Sequence, residues 1–245
     1  MGKATVAGGK VGMKIPFTGI LASYLAVGSS VYLNENGSPV EYLVVNQGIP
    51  SGSSLYDSSC DGTWLLRKDI HSTIAWGTTD NDYEKSSVHP WLNSTFLNLL
   101  DSNVQSAIKQ VKIPYQNGTG SGGSISSGSN GLSTKVFLLG GYEVGCFPNN
   151  DSYGYSYLPV DGACLDYFSG TSPTDSKRIG YYDDTASPWW LRSASTEDNN
   201  YVWVISTLGN GYSSGRLNTY GVRPALILPS TAYFDEETLL FKGVS

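Results

Sequence analysis

The sequence predicts an α+β domain of short strands, one or two helices and much irregular loop. Three observations predict it. The 245 residues include 29 Gly, 17 Tyr and 6 Trp but only 15% charged residues, which favours strands and tight turns over long surface helices. Several short segments alternate with period two. One region alone carries a clear helical stripe.

The elements follow in order. "SSVYLNENGSPVEYLVV" is a hairpin with Asn36-Gly37 as its turn. "DGTWLLRKDI", Asp61 to Ile70, is a short strand. Ser87 then caps a helix through "HPWLNSTFLNLL", with Pro90 in its first turn and Trp91, Leu92, Phe96, Leu99 and Leu100 on one face. Asp101 caps a shorter piece that Pro114 ends. The Gly/Ser segment 117–131 is expected to be a flexible loop within one domain. "TKVFLLGGYEVG" enters a turn from a strand, "DGACLDYF" suits a short helix, and "WWLRS", "NNYVWVIST" and "YGVRPALIL" are late strands. Helices early and strands late set the α+β class. Residues 1–26 are assigned to an N-terminal attachment or assembly segment and 27–245 to the ligand-binding domain; a cleaved secretory signal is the alternative for the first part. No apolar run is long enough to span a membrane.

A net charge of −6 and the lack of any Lys/Arg cluster exclude a nucleic-acid partner. Cys60, Cys146 and Cys164 follow no metal or disulfide spacing and read as buried thiols of a protein folded in a reducing compartment. His71 and His89 have no ligand-spaced neighbours and read as satisfied boundary residues. "TDNDYE", Thr79 to Glu84, has the carboxylate density of half a calcium loop but not its closing ligand. Nucleophile-elbow and phosphate-loop patterns are missing, and Asp183-Asp184 and Glu236-Glu237 read as solvated pairs. The expectation is no catalytic residue, no metal and no cofactor.

The strand "WWLRS" carries bulky residues on both faces and is expected to be buried on both, which obliges Arg192 to find a partner; Glu143 and loop carbonyls are the candidates. Trp189, Trp190, Arg192 and Arg223 are assigned structural roles. Between these stiff ends lies a segment rich in Asn, Tyr, Ser and Gly. Asp198, Asn199, Asn200, Tyr201, Trp203, Asn210, Tyr212, Ser213, Ser214, Arg216 and Asn218 are the expected ligand contacts, a palette shared with antibody loops. Two alternatives stand beside this: Trp203 as core packing, and Asn210-Gly211 as a plain hairpin turn.

"WWLRS" followed by "YGVRPAL", with "WLN" at Trp91–Asn93 and "FLLGGYEV" at Phe137–Val144, resembles a domain family widespread in gut bacteria and their prophages. The four motifs run from about Val27 to Pro229. That family is similar in fold to C-type lectins and formylglycine-generating enzymes, so the resemblance implies a C-type-lectin-like fold. Some relatives with that fold are variable proteins of diversity-generating retroelements. The catalytic cysteines of formylglycine-generating enzymes lie late in the chain, and here no thiol follows "WWLRS". The resemblance therefore implies a non-enzymatic receptor-binding protein, associated with a phage tail or bacterial surface and folded in the host cytoplasm, with a diversified face at 195–220. It implies as partners a bacterial surface protein or glycan and other virion or surface-assembly proteins, and a homotrimeric assembly. An enzyme of formylglycine-generating or carbohydrate-active type, and a purely structural module, are the alternatives.

Overall fold

A computed structural model describes residues 19–51, 53–77, 79–147 and 155–245. Most of the expected attachment segment, 1–18, lies outside the described residues. Strand accounts for 37% of the described residues and helix for 18%, and the longest helical run among them has 12 residues. The expected α+β class is thereby corrected: the protein is mostly β. The error came from the order of the elements, which ignores their lengths. The two helical signals yield one interrupted run over 88–99 and one short turn, Ser102–Ala107, while low charge and abundant Val, Tyr and Thr fill the remaining chain with strands.

Two five-stranded sheets form the framework. The first runs Val136–Phe137, Ala225–Leu228, Thr63–Arg67, Ser38–Gln47, Ser30–Glu35, antiparallel throughout. Its outer hairpin turns at Asn36-Gly37, both in the left-handed region at φ 50° and 76°, as a two-residue primed turn demands. The second runs Gly211–Gly215, Tyr201–Ile205, Trp189–Ala194, Thr219–Val222, Ser72–Ala75. Trp189–Ala194 and Thr219–Val222 are the one parallel pair in it.

The chain passes directly from one sheet to the other at Lys68–His71 and at Arg223-Pro224, and these two direct crossings lie side by side. Arg67 N–H donates to Pro224 O at 2.8 Å and His71 N–H to Val222 O at 2.9 Å. "YGVRPALIL" is thus two strands in different sheets, with Arg223 at the step. A third, three-stranded sheet pairs Ile20–Leu21 with Ala232–Phe234 and that strand with Phe241–Val244.

The core fills the space between the framework sheets. Trp64, Trp76, Trp189, Trp190 and Trp203 are all buried in it, each contributing on the order of 2–3 kcal/mol by removal from water. The helical run closes one side through Val88, Leu92 and Phe96. Its cap differs from expectation: Ser87 makes no capping bond, and Ser86 Oγ accepts from His89 N–H instead, at 3.1 Å. Asp101 likewise turns away from the helix it precedes, accepting from Asn34 Nδ2 and from Gly37 N–H. The Gly/Ser segment contains a short hairpin, Tyr115–Asn117 against Ser124–Ser126.

Candidate functional site

Three buried arginines organise the polar interior, and they differ in how fully they are satisfied. Arg192 uses all five N–H donors: two on the Glu143 carboxylate at 2.5 and 2.7 Å, and one each on Pro114 O, Leu138 O and Asp161 O. The partner expected from sequence is the partner found. Glu143 also accepts from Tyr56 Oη at 2.8 Å and Gly140 N–H at 2.9 Å, so the buried pair is saturated on both sides. Next to it Ser193 Oγ donates to the Asp161 carboxylate at 2.8 Å and accepts from Gly141 N–H. Burial raises the Asp161 carboxyl to about 6, against the pull of Arg192. This network has the residue types of an acid–base site but is sealed: Arg192, Ser193, Glu143 and Asp161 are all buried. It is a brace for "WLRS".

Arg178 is also saturated, by Gly209 O, Val144 O, Thr171 Oγ1, Ser172 O and Pro173 O. Arg223 is not. Among the described residues its one hydrogen bond is from Nε to Arg67 O at 2.9 Å, and Nη1 is buried without a partner. Its Cζ lies 5.2 Å from the Trp189 ring centroid.

The expected contact segment divides into three groups. Asn199, Asn200, Tyr201, Ser213 and Asn218 are exposed, and Asp198, Asn210, Tyr212 and Arg216 are half-buried. Trp203 and Ser214 are buried, which corrects their place among the contacts. Trp203 packs on Tyr155 with ring centroids 5.6 Å apart, and Ser214 Oγ lies 2.9 Å from Tyr220 Oη. Asn210 closes the hairpin between Tyr201–Ile205 and Gly211–Gly215, where Ser206 N–H donates to Asn210 O. It therefore sits at the far end of that hairpin from Tyr201, roughly 14 Å away at the rise of a strand.

What gathers is one loop cluster. Tyr201 pairs with Gly215. Arg216 donates to Asn200 Oδ1 and to Gly77 O, at 3.2 and 3.1 Å. Asn200 Nδ2 donates to Asp198 Oδ1 at 2.8 Å. Beneath the cluster, fully buried Asn81 directs its Nδ2 at three carbonyls, Ser195 O at 3.0 Å, Asp198 O at 3.1 Å and Tyr201 O at 2.9 Å. Asn81 lies in the stretch with the carboxylate density of half a calcium loop, where "TDND" builds Asx turns, Asp80 Oδ1 accepting from Asp82 N–H and Asp82 Oδ1 from Glu84 N–H. Beside Thr196 the cluster borders an apolar cleft of about 310 Å³, lined by Ile125, Leu158, Pro159 and Val160.

Burial also shifts the thiols and imidazoles of the described residues toward their neutral forms. Burial raises the thiols of Cys60 and Cys164 to about 11 and raises that of Cys146 as well. His71 and His89 are lowered by burial, and neither is fully satisfied: His71 Nδ1 and His89 Nε2 are buried without partners, against the sequence expectation. Among the described residues no group of three His, Cys, Asp or Glu side chains could hold a metal ion, and no helix is long and apolar enough to cross a membrane.

No curated protein and no solved structure matches the chain. A family model described as a domain of unknown function, DUF6273, matches residues 61–230. That span contains both direct crossings between the sheets, the Arg192–Glu143 brace and the loop cluster. The chain belongs to the DUF6273 family.

Proposed function

We propose that the protein is a non-enzymatic recognition module that binds a bacterial surface protein or glycan through the loop cluster around Tyr201. The observation that carries this reading is the Asn81 anchor. A buried amide that holds three carbonyls of one loop, at Ser195, Asp198 and Tyr201, fixes the exposed Asn199, Asn200 and Tyr201 above it. A pre-ordered loop loses little conformational freedom on binding, so the contacts it makes are not offset by ordering. Tyrosine adds apolar area with a polar edge, and asparagine adds adaptable donors and acceptors. The apolar cleft beside Thr196 extends the contact area. The setting on a phage or prophage tail, the homotrimer and the diversification of this face rest on the motif resemblance.

The test is binding of the labelled protein to intact bacterial cells and to an array of bacterial glycans. The double variant Asn199→Ala/Tyr201→Ala, whose side chains are exposed, is expected to keep its thermal midpoint and lose binding about tenfold or more. Undiminished binding by that variant would remove the surface from consideration.

A further inference from the structure

Arg223 stands apart from the other two buried arginines: among the described residues its one hydrogen bond is from Nε to Arg67 O, and Nη1 is buried with no acceptor. Arg192 and Arg178 show that this fold can saturate a buried guanidinium with carbonyls or a carboxylate. At Arg223 it does not. The residue is 2% exposed, and among the described residues it forms no ion pair. A guanidinium left this way is destabilising, and a bound anion would offset that cost.

Arg223 lines a cleft of about 170 Å³ with Lys68, Asp69, Tyr167, Lys177 and Tyr181. Three cations face one carboxylate there, in a chain whose net charge is −6. Lys68 is already paired with Glu41 at 2.8 Å. Lys177 Nζ donates to Tyr167 O at 3.0 Å and lies 5.3 Å from the Tyr167 ring centroid. Burial pushes the Arg223 guanidinium down to about 10, which leaves it charged at neutral pH.

The cleft does not end there. Asp69 and Tyr181 also line a second cleft of about 370 Å³, walled by Glu41, Arg67, His71, Asp183 and Asp184, with Arg67 already paired to Glu35. Tyr181 stands 44% exposed between the two. It is held by Ile70 N–H donating to its carbonyl at 2.8 Å and by the tight turn at Asp183-Asp184, both left-handed at φ 48° and 60°. The two adjoining clefts share Tyr181 and Asp69 and form a groove with Lys68, Lys177 and Arg223 on one side and Asp183, Asp184, Glu41 and the paired Arg67 on the other.

We propose that this groove binds an acidic sugar, with the sugar carboxylate on the Arg223 fork, the ring against Tyr181 and hydroxyl groups donating to Asp69, Asp183 and Asp184. A planar guanidinium matches a carboxylate in two parallel bonds. Carboxylates are the acceptors that hydroxyl donors require, and they would repel a second anionic unit. None of these residues belongs to the loop cluster, so the two readings fail separately.

The experiment is isothermal titration of the full chain with glucuronate, glucose, acetate and inorganic sulfate. Glucuronate is expected to bind saturably and at least about tenfold more tightly than any of the other three. Arg223→Lys, which keeps the charge but not the fork, is expected to weaken glucuronate about tenfold or more. Tyr181→Ala and Lys177→Glu alter only the rim and should retain the wild-type thermal midpoint while weakening glucuronate; they keep the test informative if Arg223→Lys fails to fold. No saturable glucuronate binding, equal binding of glucose, tighter binding of acetate or sulfate, or full binding by both rim variants would each overturn the proposal.

Discussion

Arg192 and Glu143 meet fork to fork in the centre of the protein, 49 residues apart in sequence and both with fully buried side chains. Removing either partner strands the other charge in a medium that cannot solvate it. Glu143→Gln or Arg192→Met is expected to cost about 3–5 kcal/mol, read as a lowered urea midpoint. The double variant Arg192→Met/Glu143→Leu should recover part of that loss, because no lone charge remains. A double variant less stable than both singles would show that the pair does more than neutralise itself.

Asp161 gives the stability a pH dependence of unusual sign. Burial raises its carboxyl to about 6 in the folded chain, against about 3.9 for an unperturbed aspartate. Between those values the folded state holds a proton that the unfolded state has released, so stability from this group is complete below about pH 4 and declines as pH rises through about 6. The lowered carboxyls of Glu41, Asp57 and Asp235 act in the opposite sense. Urea melts of wild type and Asp161→Asn, taken from pH 4 to 8, isolate the contribution. The variant should gain on the wild type between pH 4 and 6 and hold a constant difference above.

Asn81→Ala removes one donor group from three carbonyls at once. The expected cost is about 1–3 kcal/mol, and the sharper readout is local. Amide exchange over residues 195–201 should accelerate relative to the core strand Trp189–Ala194. Uniform acceleration across both segments would mean that Asn81 supports the whole fold and not the loop in particular.

The three cysteines are free thiols, Cys60 and Cys146 buried and Cys164 half-buried, and burial holds all three protonated at neutral pH. Since the thiolate is the reactive form, iodoacetamide at pH 7 should leave them unmodified over a period in which the urea-unfolded chain is fully alkylated. Fast labelling of a single thiol in the folded protein would revive the enzyme alternative.

Legibility in the sequence followed the range of the interaction. The Asn36-Gly37 hairpin and the helix at 88–99 depend on neighbours within a few residues, and both were readable. The partner of Arg192 was foreseeable because burial on both faces of "WWLRS" obliges the guanidinium to find one, and Glu143 and loop carbonyls, the two candidates, both serve. The class was misjudged because helical signals announce themselves by caps and stripes, whereas short strands such as Ile20–Leu21 and Ser72–Ala75 exist only through pairing with Ala232–Phe234 and Thr219–Val222, far along the chain. Trp203 could not be assigned from alternation, since both faces of its strand alternate equally well and only packing on Tyr155 decides. Asn81 and the Arg223 groove were invisible for the same reason: each is assembled from segments more than 100 residues apart.

The stacking of Arg223 on Trp189 also gives the molecule an optical readout of its own. The guanidinium lies over an indole that is sealed from solvent and bonded through Nε1 to Arg178 O. An occupant that draws the charge away from the ring changes the electric field on that chromophore. The emission of one tryptophan would then report, without any label, whether the junction between the two sheets is filled.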